Sequence, residues 1–363
     1  MSLFEVSVLP LSAVEPHPNA DRLSLAVVGG FRAVIAKGSL AAGDTVAYFP
    51  TDSVFPADVA EALGVGGYLV GKEKNRVKAI RLRGVLSEGI VLPMQRVLEV
   101  LAARGITHAP GAEQWEDGLA EALGITKYEE PIPVGMAGRA RPWPSFLPKY
   151  DVENIKRPEF AHALHPGEAV VVTEKRHGTN CAVALGPDLD PEEPAYVCSR
   201  GLALVESLDN LYWIAARRAG LIEKLSRLRD DLVAAGREVQ NLSVHGEVLG
   251  CQDLRYGATM QEPRFEAFDL RLNGEWLSWG EFAAITERYD IPRVPTLYTG
   301  PFEYALLESL AEGVATGMGP EGHIREGVVV RPQVERHDPV LGRVQLKYVS
   351  AAYLTRAGGT EMR

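Results

Sequence analysis

Cysteine is scarce: Cys181, Cys198 and Cys251 are the only three in 363 residues, and no two share a C-x-x-C spacing. That pattern argues against both a disulfide framework and a thiolate zinc site, and the three read as small core residues in a reducing compartment. Long apolar runs are also missing. Nothing approaches the ~18 uninterrupted apolar residues of a membrane span. The opening MSLFEVSVLPLSAVEP has two acids and two prolines where a secretion signal would carry basic residues before an apolar segment. The expectation is a soluble, cytoplasmic protein with no membrane contact and no obligate protein partner. Positive charge is in deficit, 38 Lys and Arg against 48 Asp and Glu for a net charge of −10. A chain that coats nucleic acid through overall charge is therefore set aside, and only a local basic patch stays open. Internal repeats and low-complexity tracts are absent.

What is present is apolar content of 46%, enough for a globular fold, and a length that suits two domains at ~150 residues each. The two halves differ in texture. Up to about residue 93 the chain is a series of short β runs cut by glycine and proline, LSLAVVGG, FRAVIAKG, GDTVAYFP, VKAIRLRG and GIVLP, which predicts a small antiparallel barrel. The stretch KYEEPIPVGMAGRARPWPSFLP, residues 127–148, holds five prolines and reads as a linker between a module at 1–126 and a second domain at 149–363. Beyond it strands alternate with helices, including one helical pattern over 208–236. The fold class expected is α+β.

Within the second half, PGEAVVVTEKRHGTN runs from a turn signal through a β-rich segment to a lysine, Lys175, followed by Gly178. Taken alone, Lys175 is better explained as a surface residue that marks a strand end. Polar groups recur, however, at the ends of later β runs: Arg200 in CSRG, Glu247 in VHGEVLG, Phe268 and Asp269 in FEAFDLRL, Glu326 and Arg331 in REGVVVRP, and Lys347 in VQLKYV.

In that order these segments resemble the covalent nucleotidyltransferase superfamily of polynucleotide ligases and RNA capping enzymes. KRHGTN is similar to its nucleophile motif, K-x-D-G in general and K-x-H-G-x-N in the nick-sealing RNA ligases, so His177 and Asn180 point to the RNA ligase branch. GEVLGCQDLRYG resembles the stretch after the glutamate motif of that branch, and the likeness runs from about residue 149 to the end. An ordered set of six motifs is far more specific than one short lysine motif.

The resemblance implies Lys175 as the nucleophile, with Lys347 and Arg200 in catalysis and Glu326 holding a divalent metal, Mg2+ or Mn2+. It implies ATP contacts from Glu174 to the adenine amino group, Glu247 to the ribose, Phe268 by stacking on the purine, and Arg331 and Lys347 to phosphate. Asn180 and Arg200 would serve the phosphate steps, and Asp269 would support. Each has a plainer reading: solvated charge for Glu174, core packing for Phe268 beside Leu270 of the same parity, a satisfied carboxylate for Asp269. The last family motif is K-x-K, but here it is Gln345-Leu346-Lys347, with Arg331 as a candidate replacement. Only 16 residues follow Lys347, too few for the C-terminal OB domain of DNA ligases and capping enzymes.

The chemistry explains the residue types. Free lysine titrates near 10.4 and is protonated at neutral pH, so an attacking amine needs its uncharged form favoured by about three units, or ~4 kcal/mol. Neighbouring cations, Lys347, Arg200 and the metal, would supply this and neutralise nucleotide phosphates.

In the first half, GKEKNRVKAIRLRG sets Lys72, Lys74, Arg76, Lys78, Arg81 and Arg83 against the single acid Glu73. Alternation puts Arg76 and Lys78 on one face and then Arg81 and Arg83 on the outward face, a parity shift that predicts a bulge or sharp bend. Such a basic edge suits a phosphate backbone, or is a solvated strand. HPNADRL resembles the opening of tRNA-binding OB modules, and the whole order resembles RNA ligases with an N-terminal OB module. The function expected is an ATP-dependent RNA ligase acting through a lysyl-AMP on nicked or broken RNA-containing duplexes with RNA at the 3′-OH side. A capping-type guanylyltransferase and an RNA-binding OB protein with a decayed transferase domain are the alternatives.

Overall fold

The structure, a computed structural model, describes residues 5–71, 73–106, 118–128, 140–187, 189, 195–319 and 322–356. The chain divides into two compact units, Ser2–Glu129 with Ile155–Ala161, and Glu130–Asn154 with His162–Arg363. No helix among the described residues is long and apolar enough to cross a membrane.

The first unit is built from short antiparallel strands. Ala13–Pro16, Leu23–Val28 and Phe31–Ala36 form one meander, and Ser7–Pro10, Thr45–Phe49 and Ile90–Pro93 form a second sheet. Phe31–Ala36 alternates in burial, with Phe31, Ala33 and Ile35 inward, as a half-buried strand should. Phe49, Phe55, Leu63, Val97, Leu101, Leu119 and Leu123 fill the core beneath the helix Met94–Ala103. The segment Ile155–Ala161 returns to this unit, and Lys156 makes a buried pair with Glu88, Nζ to Oε1 2.9 Å.

The basic stretch is a bend followed by a hairpin. Ile80–Leu82 pairs with Val85–Ser87 around Arg83 and Gly84, both at positive φ (48° and 89°), the two-residue turn whose twist matches a hairpin. His17 Nε2 lies 3.1 Å from Leu82 O, and Asn19 Nδ2 donates to Arg83 O at 2.9 Å, so the HPN motif braces this turn. Arg76 does not share a face with Lys78. It is buried, pairs with Asp52 through Nε at 2.9 Å, and stacks 3.7 Å from the Tyr128 ring centroid. The expectation that Arg76 contacts phosphate is therefore corrected, because its charge is already neutralised inside the unit. Lys78, Arg81 and Arg83 are exposed, and Lys72 lies outside the described residues.

The second unit contains two sheets. Seven strands run in the order Ala140–Arg141, Ala203–Leu204, Tyr196–Cys198, Thr179–Leu185, Leu242–Leu249, Arg264–Leu272, Glu275–Trp276. Five run Glu153–Asn154, Leu346–Val349, Gly327–Pro332, Ala169–Lys175, Thr296–Pro301. One face of the larger sheet is covered by helices. The single helix expected over 208–236 is two, Leu211–Arg218 and Leu221–Ala234, separated at Gly220 with φ 61°. Asn210 caps the first by accepting from the amides of Tyr212 and Trp213. In the second, Leu221, Leu225 and Leu228 recur at helical spacing and are buried in the core. Of the expected linker, residues 129–139 lie outside the described residues, while Ala140–Arg141 joins the larger sheet and Leu147 packs against Ala182, Ala184 and Tyr196. The three thiols form no disulfide.

Candidate active site

The strand Ala169–Lys175 belongs to the smaller sheet and the next strand, Thr179–Leu185, to the larger. The turn at 176–178 is thus the crossing between the sheets, and Lys175 stands at its edge. Antiparallel register fixes what faces Lys175. It pairs with Gly327, which pairs with Val349; one row further along the same face come Thr173, Val329 and Lys347, with Asn154 beside Lys347. Lys175 and Lys347 therefore share a face of the sheet, since side chains two residues apart point the same way.

Lys175 Nζ donates to Glu326 Oε1 at 2.6 Å, with the lysine partly exposed and the carboxylate buried. Glu326 Oε2 is buried with no partner among the described residues. Across the crossing, Gly178 N–H donates to Glu247 Oε1 at 3.0 Å, and Glu247 shares a rung with Asn180. Glycine is required at 178 by close approach: a Cβ there would lie 2.2 Å from Val248 O and 2.9 Å from Glu247 Cγ. Burial pushes the Glu247 carboxyl up to about 8 against the pull of Lys175, with Glu326 raising it and Arg200 lowering it. Lys175, Glu326 and Arg200 therefore all lie close enough to act on the Glu247 carboxyl. Arg200 itself donates to Asp151 Oδ2 at 2.6 Å.

The stretch after Glu247 clasps the same turn. Gln252 Nε2 donates to Gly178 O, Asp253 meets the His177 ring, and Tyr256 Oη accepts from His177 N at 3.0 Å. Three residues of the GEVLGCQDLRYG segment thus have a direct structural reason to stand where they do.

Other expected contacts are corrected by the structure. Glu174 precedes Lys175 and so faces the opposite side of the sheet. Its carboxylate is buried, accepting from Arg176 Nη1 at 2.7 Å and from Thr316 N at 2.9 Å. Arg331 lies in the row beyond Val329 and is buried, donating to Asp269 Oδ1 at 2.6 Å. It stacks on Trp279, one row beyond Lys347 on the same face of the sheet. Asp269 accepts from Arg331, Arg343 and Tyr150; burial alone would raise its pKa, but the two guanidinium groups hold it well below the carboxylate range. Gln345 sits in the same network, accepting from Tyr150 Oη at 2.7 Å and from Arg343 Nη1 at 3.1 Å.

Phe268 departs from its expected parity. The register shifts between His245 and Gly246, which pair with Asp269 and Ala267, so Phe268 is the extra residue of a bulge. Phe265, Ala267, Leu270 and Leu272 all pack in the helix-covered core, and Phe268 does not. Its half-buried ring lies instead 4.7 Å from that of Tyr150, on the side away from that core. Tyr150, Arg343, Asp253 and Tyr353 were not singled out by sequence; all four act over long separations that periodicity cannot register.

Among the described residues no cluster of three or more His, Cys, Asp or Glu is arranged to hold a metal ion. One buried carboxylate with an unpartnered oxygen, Glu326, fits the mode in which a cation is shared with substrate phosphates.

Comparison with known proteins agrees with this arrangement. A family model described as RNA ligase matches residues 168–349, and one described as an OB-fold domain matches residues 5–94. A search of curated protein sequences finds no match. Among solved structures, a mutant of the Naegleria gruberi RNA ligase with ATP and Mn is similar at TM-score 0.76 and 26% identity, covering 96% of this chain and 98% of that one. The same ligase with PPi matches at TM-score 0.75 and 26% identity, over 97% and 98% of the chains. A further mutant with AMP and Mn matches at TM-score 0.75 and 25% identity, over 97% and 98%. With a crossing lysine paired to a buried glutamate and a family model spanning half its length, the chain belongs to the RNA ligase family, an OB-fold domain preceding the nucleotidyltransferase domain.

Proposed function

We propose that this RNA ligase uses ATP and seals breaks bearing a 3′-OH and a 5′-phosphate through a lysyl-AMP on Lys175, acting on nicks in duplexes with RNA on the 3′-OH side. The observation that carries the reading is the placement of Lys175 at the crossing of two sheets, on one face with Lys347 and within reach of Glu326. Lys175 Nζ attacks the α-phosphorus of ATP; an N–P bond forms, the α–β anhydride bond breaks, and pyrophosphate leaves. The amine loses its proton in this step, and Glu326 Oε1 at 2.6 Å is the acceptor at hand. AMP then passes to the 5′-phosphate, which frees Lys175, and the 3′-hydroxyl attacks that phosphorus to expel AMP.

Lys347 and Arg200 contribute positive charge where charge develops on phosphate, which is most effective where water is excluded. Glu247, joined to Gly178, orients the ribose; Phe268 stacks on the purine, a contact worth ~1–3 kcal/mol per base; Asn180 meets the phosphate of the acceptor strand. Glu326 is the residue that would hold a divalent cation, Mg2+ or Mn2+, whose bound charge neutralises the nucleotide phosphates. We assign residues 1–126 to RNA binding, with Lys78, Arg81 and Arg83 on backbone phosphate, and residues 149–363 to nucleotidyl transfer.

Incubation with α-labelled ATP, or α-labelled GTP in parallel, followed by denaturing gel analysis, tests the first step. Labelling by ATP that is lost in Lys175→Ala supports the reading; labelling by GTP alone would make the chain a capping-type transferase, and no labelling by either would leave an RNA-binding protein.

A further inference from the structure

The turn after Lys175 is held by a chain of side chains that the steps above do not use. His177 is buried, and both ring nitrogens are engaged: Nε2 lies 2.8 Å from Asp253 Oδ1 and Nδ1 lies 2.9 Å from Tyr353 Oη. Arg356 Nη2 also approaches Nε2, at 3.3 Å, but the shorter contact is to a carboxylate, which can only accept; with the proton on Nε2, Nδ1 accepts from the Tyr353 hydroxyl. Arg356 completes the group. Its guanidinium lies 3.6 Å from the Tyr353 ring centroid, and Nε donates to Asp253 Oδ2 at 2.8 Å.

Tyr353 belongs to the four-residue helix Ala351–Leu354, whose other attachments lead back to the paired glutamate. Ser350 N donates to Glu326 O at 2.9 Å, Ser350 Oγ donates to Arg325 O at 2.9 Å, and the same Oγ accepts from Tyr353 N at 3.0 Å. One short element thus grips the residue two places after Lys175 with a side chain, and the backbone of its carboxylate partner with a cap. The general nucleophile motif carries an acid at position 177; here the acid at this turn is Asp253, reached through the imidazole.

We propose that Tyr353 is a positioning residue for lysyl-AMP formation, acting through His177 to hold the 176–178 turn and so to keep Lys175 Nζ in line with the α-phosphate. The proposal rests on Lys175 as nucleophile. Displacing a reacting atom by ~1 Å costs about 100-fold in rate, so a hydroxyl that fixes the turn acts on the chemical step and leaves ATP affinity alone.

Tyr353→Phe, in the full chain, removes one oxygen and keeps the ring that packs against His177 and under Arg356. The maximal single-turnover rate of AMP attachment is expected to fall about 10- to 100-fold, with the KM for ATP and the sealing of a pre-adenylylated nick within about twofold of wild type. Asp253→Asn, measured in the same way, gives the same split between steps. A wild-type rate of AMP attachment in Tyr353→Phe overturns the proposal. So does an equal loss in both steps that follows a lowered melting temperature, since that is a structural role. A wild-type protein that takes no AMP at all marks instead the failure of the Lys175 assignment.

Discussion

Lys175 and Glu326 are bound to one another, Nζ to Oε1 at 2.6 Å, although the proposed function needs each elsewhere, the amine at phosphorus and the carboxylate at a cation. One oxygen of Glu326 faces the lysine and the other has no partner among the described residues. On the proposed function the pair is both a stored nucleophile and half of a cation site.

Lys175→Ala is expected to abolish AMP attachment and also to lower stability, because it strands the buried Glu326 charge. A loss of about 1–3 kcal/mol is expected from denaturant unfolding. Adding Glu326→Gln to it should recover most of that loss, as a double-mutant cycle would show. Unchanged labelling of Lys175→Ala by ATP would falsify the nucleophile assignment.

Glu326→Ala alone should depress AMP attachment and final sealing together, and excess chelator should reproduce the defect in the wild type. Full labelling of the wild type in chelator would remove Glu326 from the cation site.

Glu247 makes a prediction about pH. Its folded-state pKa, raised by burial to about 8, lies above its unfolded value near 4.3, so the folded state holds a proton that the unfolded state has lost. Stability from this group is complete below about pH 4 and is lost as pH rises toward 8. Glu247→Gln should therefore melt like wild type at pH 4 and higher than wild type at pH 8, while losing activity. Parallel melting curves across that range would contradict it.

Lys78, Arg81 and Arg83, replaced together by Ser, should weaken nicked-duplex binding and reduce the salt slope by about 0.9 for each phosphate no longer neutralised, with ATP labelling retained. Arg76→Ser separates from them. It breaks a buried pair with Asp52 and should cost about 3 kcal/mol of stability with the salt slope unchanged. A triple variant with wild-type affinity and salt slope would make the hairpin a solvated surface.

Gln345→Lys restores the K-x-K pattern and should still be harmful. Asp269 and Glu335 balance Arg331 and Arg343 around position 345, and a lysine would add an unmatched buried charge costing about 3 kcal/mol. A gain in both melting temperature and ligation rate would refute this account.

The neighbourhood of the proposed site was legible because its parts close short β runs: Lys175, Glu247, Glu326 and Lys347 each follow or precede an apolar stretch that fixes their depth. Glu174 lies on the other face from Lys175 for a reason the same alternation contains, since neighbours on a strand face opposite ways. Other features were hidden. Nothing local marks Phe268 as an extra residue, because the bulge is defined only by the register of the strand beside it. Arg76 reads as one more outward cation until Asp52, 24 positions earlier, is brought to it by the fold. Gly220 interrupts an apolar periodicity that otherwise runs unbroken, and its left-handed backbone decides for two helices. The Tyr353–His177 hydrogen bond spans 176 positions, beyond any periodic signal.

The bulge adds to the strand a residue that the ladder itself does not require. Without Phe268, Ala267 would be followed directly by Asp269 and then Leu270, a regular inward and outward alternation with every core residue and every arginine partner of Asp269 in place. The sheet would be simpler for the loss. If Phe268 stacks on the purine as proposed, a chain lacking that one residue should fold and bind ATP poorly, and the irregularity in the strand would be nucleotide recognition inserted into an otherwise self-sufficient ladder.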